Sequence, residues 1–501
     1  MRFTVAVIAS FVAVGLCPTP PVMADTIRVS TTGELQAALE SAHRDPGRVI
    51  ELVPGRYEFR GSQLVHLGRP GRGEAVRGLT VRGLGRQPGE VVLAGGGMDP
   101  GDPATGFGFI LSEATDITFE NFEIRGVREH LFHVKGENGA DRVTFRRLRL
   151  VDAGTQFIKG TANQWIDGAD DGVVEDCSFE YTVRDYLDRR IETVRPPLVA
   201  VESSTQVVVK LSPASLGRTS YPVDYWKGAT IGPREPNGWT RTVLSSAPVP
   251  GTPSQQRLVV DAAPPGAWSD NLELTLDLPD ERVAAWGPKG GYTNAIDVHT
   301  GKRWVVRRSG FVRIGTSLRS NYDHSVAAIL FWHGSEGTQV EDVAFLDCES
   351  GVVLGLGTDT GPGQPWNHRW GVVRRALFYR RAGVRGDRAF GFENSPNARI
   401  EDVKVVLNGT YGAAVEYRFP ATTGFVARNI ESDANGVVAR YSPGPATIDN
   451  VQRLADPAAV LDAVRQATGR DLGPTPTPGT RRPPNPRVPE APPLGDTYRD
   501  P

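Results

Sequence analysis

Residues 340–345 read VEDVAF, and residues 373–378 read VRRALF. Each begins with an apolar anchor, followed by two polar residues, an apolar residue, a free position and a second apolar residue. The pattern returns as FENFEI from Phe119, FRRLRL from Phe145, VEDCSF from Val174, VRRSGF from Val306, IEDVKV from Ile400, ARNIES from Ala427 and IDNVQR from Ile448, with variation in the last slot. The second polar slot holds Asn121, Arg147, Asp176, Arg308, Asp342, Arg375, Asp402, Asn429 and Asn450, so it is polar every time. Anchors are 26, 29, 132, 34, 33, 27, 27 and 21 residues apart, and the one long gap marks an insertion.

A unit this short cannot bury a core alone, but stacked copies can. The units hold short β-prone runs broken by Gly, Asn and Asp, without helical periodicity or leucine patterning. The expectation is an all-β solenoid, a single-stranded parallel β-helix with one coil per unit and about 4.8 Å between coils. Residues 25–184 then form an N-terminal cap and the first coils, and 291–455 form the rest. Residues 31–59 open with an amphipathic helix carrying Leu35, Ala38, Leu39 and Ala42, placed to cap the first coil. Residues 456–470 predict a short helix. Residues 471–501 are rich in Pro and Arg and read as a flexible tail. Between 185 and 290 the repeat stops, and runs such as TQVVVKL and QRLVVDA predict a β-rich subdomain or long loops. Just ahead of IDVHTG, this segment is placed to wall the region that follows.

The opening STTGELQAALESAHRDPGRVIELVPGRYEF, residues 30–59, resembles the cap and first coil of pectin-lyase-like right-handed β-helix proteins. Among these the chain is most similar to the family 6 polysaccharide lyases, which include alginate lyases and chondroitinase B. With the repeats, the resemblance covers about residues 28–455 outside the insertion. It implies the right-handed sense. It also implies a lysine base and an arginine acid beside a calcium-bound substrate carboxylate, though no residue here is assigned to that set. Stretches such as YTNAIDVHTG and GAAVEYRF also resemble β-helix repeat proteins of unassigned activity.

Residues 1–24 read as an export signal, with Arg2, an apolar run from Val5 to Leu16, and Val22-Met23-Ala24 before Asp25. That run is too short to span a bilayer, and no later segment could do so. A secreted or periplasmic monomer is expected. With 56 basic and 58 acidic residues the net charge is −2, which gives no general drive towards nucleic acid. Cys177 fills an apolar slot, and Cys348 lies at least two coils away, roughly 10 Å. Two free buried thiols are expected rather than a disulfide.

Candidate site residues follow from alternation along the strands. In AIDVHT, Ile296 and Val298 face in while Asp297 and His299 face out. The same reading of ILFWHG turns Leu330 and Trp332 in, and Phe331 and His333 out. Glu393 in AFGFEN faces out, as do Glu416 and Arg418 in AAVEYRF. His299, His333 and Glu393 each stand seven residues before an anchor, so they are expected in one outward stripe, with the two histidines about 5 Å apart. The coil between His333 and Glu393 offers only small and apolar residues, expected to leave a shallow dip. Lys135 and Lys159 close the equivalent earlier strands. With Phe331, Trp366 and Trp304 nearby, the stripe offers aromatic faces and charges suited to an acidic polysaccharide. Any solenoid has a polar exterior, so the alternative is a solvated surface without chemistry. Asp297-x-His299 has a metal-ligand spacing. The DGADDG run, residues 167–172, reads as a polar turn, with calcium binding as its alternative.

Two mechanisms could use the stripe. In β-elimination, His299 or His333 removes the proton beside a uronate carboxylate, and Arg418, Lys159 or a metal neutralises that carboxylate. In hydrolysis, Asp297 and Glu393 would pair across about three coils, roughly 14 Å, beyond the usual separation of about 5–9.5 Å. Elimination is the better fit, and epimerisation begins with the same proton abstraction. The alternative class is a non-catalytic carbohydrate-binding or envelope-associated solenoid.

Overall fold

In the computed structural model, the described residues are 25–470 except 62, 99–104, 164, 183–189, 195, 212–222, 225, 234–238, 269–273, 281–291, 316–326, 358–360, 362, 383, 385 and 442–443. The signal-peptide reading of residues 1–24 and the tail reading of 471–501 lie outside them.

The nine anchors pair in register through consecutive parallel strands. Phe119 sits opposite Phe145, Phe145 opposite Val174, and Val174 opposite Val306 across the insertion. The series continues through Val340, Val373, Ile400 and Ala427 to Ile448. Anchors up to Ala427 are fully buried, whereas Ile448 on the last coil is exposed. The chain forms a parallel β-helix. Phenylalanines stack along its interior: the rings of Phe179 and Phe311 are 4.8 Å apart, and those of Phe311 and Phe345 are 5.0 Å apart.

The polar slot has a backbone reason. All nine of its residues are left-handed, from φ 47° at Arg308 to φ 59° at Asn121. The first six each bend the coil between two short strands, whereas Asp402, Asn429 and Asn450 lie within single longer strands. Asn and Asp tolerate this conformation, and the arginines are held by neighbours in the stack. Arg308 pairs with Asp176 at 2.7 Å, Arg375 with Asp342 at 2.7 Å, and Arg147 donates to Asn121 at 2.9 Å. A second column of left-handed corners contains Gly78, Asp116, Arg142, Asp171, Arg303, Gly337, Trp370, Asn397 and Gly424. There Arg142 pairs with Asp116 at 2.7 Å and Arg303 with Asp171 at 2.6 Å. The DGADDG run therefore contributes Asp171 to this corner ladder.

Helix α1 spans Thr32–Glu40 and is capped by Thr31 and Glu34 in a reciprocal capping box. Its Leu35, Ala38 and Leu39, with Ala42 just beyond, are buried in the main core. Helix α2 spans Pro457–Thr468. Its Val460 and Val464 pack on the solenoid's outer wall against Val312, Leu346 and Val406.

The inserted residues build a seven-strand sheet with antiparallel pairings. Its core of Val207, Val209, Trp226, Ile231, Val243, Leu258 and Leu276 is separate from that of the solenoid. Cys177 and Cys348 are free and buried, and burial pushes both thiols up to about 12.

One sheet carries the site. Its ten parallel strands run, in stacking order, Gln63–Leu67, Phe107–Leu111, Phe132–Lys135, Gln156–Thr161, Asn294–His299, Ala327–Trp332, Ser350–Leu354, Phe390–Glu393, Ala413–Arg418 and Gly436–Tyr441.

Candidate functional site

Strand pairing places His133 beside Lys159, Lys159 beside Asp297, and Asp297 beside Leu330 on the outward face of this sheet. Two residues further along, Lys135 pairs with Thr161, and His299 pairs with Trp332. Lys135 therefore does not occupy the position equivalent to Lys159. Its nearest carboxylate is Glu137, at 3.8 Å.

The Lys159 ammonium makes three bonds, to Asp297 Oδ2 at 2.9 Å, His299 Nε2 at 3.0 Å and Tyr292 Oη at 3.1 Å. An ammonium can only donate. His299 Nε2 must then accept, which leaves the imidazole proton on Nδ1. Asp297 is fully buried, and its Oδ1 accepts from Trp332 Nε1 at 2.9 Å. Burial works against the charged lysine, but the Asp297 carboxylate and Tyr292 outweigh it and raise the Lys159 pKa. Burial, then Lys159 and the neighbouring histidines, holds His299 well below the usual histidine range. His299 is thus a neutral imidazole 3.6 Å from Asp297 Oδ1, without an ion pair.

His333 lies beside it, with the two rings 4.7 Å apart and nearly perpendicular. It stacks on Trp332 at 3.6 Å and meets Trp165 at 4.5 Å. Burial, then Lys159, lowers its pKa to about 4. Its ring nitrogens make no hydrogen bond within the described residues. Its backbone is left-handed, with φ 54°, and its N–H donates to Asn367 Oδ1 at 2.8 Å.

The sheet brings Asp297, His299, His333 and Lys159 together, but the expected facing of the Ala327–Trp332 strand is reversed. Phe331 points into the core and packs on Trp304, with ring centroids 5.8 Å apart. It is removed from the substrate-binding set, and Trp304, also fully buried, leaves with it. Leu330 and Trp332 face outward instead. The cause is one extra residue: Ile329 stands eleven positions before its anchor Val340, whereas its partner Ile296 stands ten before Val306. Counting back from anchors therefore aligned His333 with His299, where the sheet places Trp332.

The expected dip is also filled. Leu330, Trp332 and Val353, with Ala327, form a buried apolar plate on the outer face. Beyond it is a separate charged cluster. Glu393 accepts from Arg388 at 2.7 Å and lies 3.4 Å from Arg418. Glu416 is held by Arg418 and by Tyr411 Oη at 3.0 Å. Glu393, Glu416 and Arg418 face outward as expected, but they do not join the histidines. Trp366 lies off the sheet, against the Arg369 guanidinium at 4.1 Å.

Sequence reasoning missed Tyr292, Trp165, Arg388 and two further histidines. His133 donates to Thr161 Oγ1 at 3.1 Å, and Thr161 donates to Glu137 at 2.7 Å. Burial, then Lys135 and Lys159, takes His133 down to about 3. His130 is 5.0 Å from the His133 ring. Strand alternation in Phe132-His133-Val134 could have found His133. Tyr292 carries no periodic signal in the sequence. Among the described residues, no three His, Cys, Asp or Glu side chains gather as a metal site. The Lys159 ammonium stands between Asp297 and His299, where a shared cation would sit.

No family model matches the chain, and no curated protein does. Among solved structures it is similar to an alginate lyase from Paenibacillus sp. str. FPU-7, at 13% identity and TM-score 0.29, covering 86% of this chain and 98% of that one. It is also similar to an iota-carrageenase from A. fortis, at 9% identity and TM-score 0.40, covering 88% and 90%. A surface adhesin of Streptococcus pneumoniae is similar at 9% identity and TM-score 0.38, covering 85% and 89%. No helix among the described residues is long and apolar enough to cross a membrane.

Proposed function

We propose that the outward face around Lys159, His299 and His333 cleaves a uronate-containing polysaccharide by β-elimination, outside the cytoplasm. The observation that carries this reading is the pairing of two neutral imidazoles with different tasks. His299 is fixed by Lys159 with its Nδ1–H available to a ligand. His333, 4.7 Å away, has an imidazole without hydrogen-bond partners among the described residues.

A uronate carboxylate placed against His299 Nδ1–H has the Lys159 charge behind it. That arrangement stabilises the negative charge that grows on the carboxylate as the adjacent carbon loses its proton. His333 accepts this proton. The electron pair forms the carbon–carbon double bond, and the bond to the departing glycosidic oxygen breaks. The His333 imidazolium then returns its proton to that oxygen, which balances the step. A low pKa makes His333 a weak base in the free protein. A bound carboxylate nearby raises it, since an anion favours the imidazolium. Asp297 acts by holding the Lys159 ammonium in position.

A second reading is favoured by one fact: the Lys159 bonds are all satisfied within the protein. On this reading the network is structural and the face binds glycan without turnover. Incubation with alginate, pectate, chondroitin sulfate and dermatan sulfate separates the two, following ultraviolet absorbance of unsaturated uronide and the release of reducing ends. Elimination gives both signals. Reducing ends without absorbance would indicate hydrolysis and overturn the proposal, and neither signal would favour binding alone.

A further inference from the structure

We propose that Trp370 is a sugar-stacking platform that holds the acidic polysaccharide at a distance from the reacting bond. The proposal rests on the glycan reading above but not on turnover. Trp370 stands in the second column of left-handed corners, with φ 58°. Its neighbours along that column are glycine, asparagine, aspartate, or arginine held by a stacked aspartate. A bulky aromatic is costly in this conformation. Such strain persists where surrounding structure enforces it, and it concentrates at functional sites.

Here the enforcement is visible. The Arg369 guanidinium lies 4.0 Å from the Trp370 ring and 4.1 Å from the Trp366 ring. It also donates to Glu336 at 2.5 Å, which fixes it in place. Even so, Trp370 remains 51% exposed, one of the largest exposed apolar side chains described. The sandwich spends two aromatic contacts on presenting a rigid indole face to solvent. A flat indole held rigid in this way suits stacking against the face of a pyranose ring.

Position supports the same occupant. The segment from His333 to Gly337 runs beside the segment from Asn367 to Trp370. His333 N–H bonds to Asn367 Oδ1, and Gly337 N–H bonds to the Arg369 carbonyl at 2.9 Å. Trp370 is three residues beyond Asn367, about 10 Å of extended chain. Trp165, packed on His333, is itself left-handed with φ 72°. Trp370 thus stands one short stretch of chain from the residue that holds the His333 backbone.

The test is native affinity electrophoresis through gels containing alginate, pectate or chondroitin sulfate, with dextran as the neutral control. Wild type, Trp370→Ala and Trp370→Asn are compared alongside their melting temperatures. The expected result is retardation of the wild type by an acidic polymer and about tenfold weaker retardation of both variants, the loss of one stacking contact. Trp370→Asn should melt at the same temperature as wild type or higher, because asparagine tolerates this corner. Unchanged retardation of the variants, no retardation of the wild type, or a lowered melting temperature of Trp370→Asn would each overturn the proposal. Retardation reads binding alone. Trp370-dependent retardation without turnover would defeat the elimination reading and leave the platform standing.

Discussion

His299 and His333 meet edge to face across neighbouring coils, with ring centroids 4.7 Å apart, although the sheet pairs His299 with Trp332. The contact arises because His333 lies one residue past the strand in a left-handed turn, which carries its ring back over Trp332. One histidine is thereby held by the buried lysine, while the other's ring makes no hydrogen bond among the described residues.

His333→Ala should lower elimination by about 10²–10⁴-fold, the usual worth of a positioned general base. The side chain is half-buried at the edge of the cluster, so the melting transition should be retained. Initial rates and thermal melts on the same preparation check both halves.

Lys159→Met leaves the Asp297 carboxylate buried without its cation. Breaking one side of a buried pair costs about 3–5 kcal/mol. The double variant Lys159→Met/Asp297→Leu should recover part of this loss while remaining inactive. Urea denaturation of the single and double variants measures the difference.

Stability should fall as the pH drops from about 6.5 towards 4. His133, His333 and His368 have folded-state pKa values of about 3, 4 and 3, below the ordinary 6.5. In that window the unfolded chain binds protons that the folded chain refuses. The contribution is fully present above the unfolded pKa and is lost as pH falls towards the folded one. Each such histidine can cost about 2 kcal/mol at pH 5. Denaturation midpoints across this range check the slope, and a midpoint independent of pH would contradict the assignment of these histidines as neutral in the folded chain.

At the corner ladder, Asn121 is buried, left-handed, and donates to the Gly83 and Gly85 carbonyls at 2.9 and 2.6 Å. Asn121→Ala should cost about 1–3 kcal/mol for the unpaired carbonyls, with about 1–2 kcal/mol more for an alanine forced left-handed. Asn121→Gly should cost less, because it removes only the first part. Chemical denaturation of the two variants separates these contributions.

The repeat was legible because two local demands coincide in every unit but the last. An anchor such as Val340 must be buried, and the next-but-one residue, such as Asp342, must bend left-handed. Alternation then placed Asp297, His299, Glu393, Glu416 and Arg418 on the outer face. It failed at Phe331 because the apolar Leu330 and Trp332 face outward, so hydrophobicity no longer marks the inside of that strand. The gathering of Lys159 with Asp297 spans 138 residues and depends on strand register across the insertion. Tyr292 enters from a segment without period, and no pattern in the sequence points to it.

The most direct test of the central claim is ultraviolet absorbance during incubation of wild type and His333→Ala with the panel of uronate polymers. The account predicts a rising unsaturated-uronide signal on at least one acidic polymer for the wild type and its loss in a folded His333→Ala. A signal that persists in the variant would contradict the assignment of His333 as the base. No signal on any polymer would contradict elimination itself.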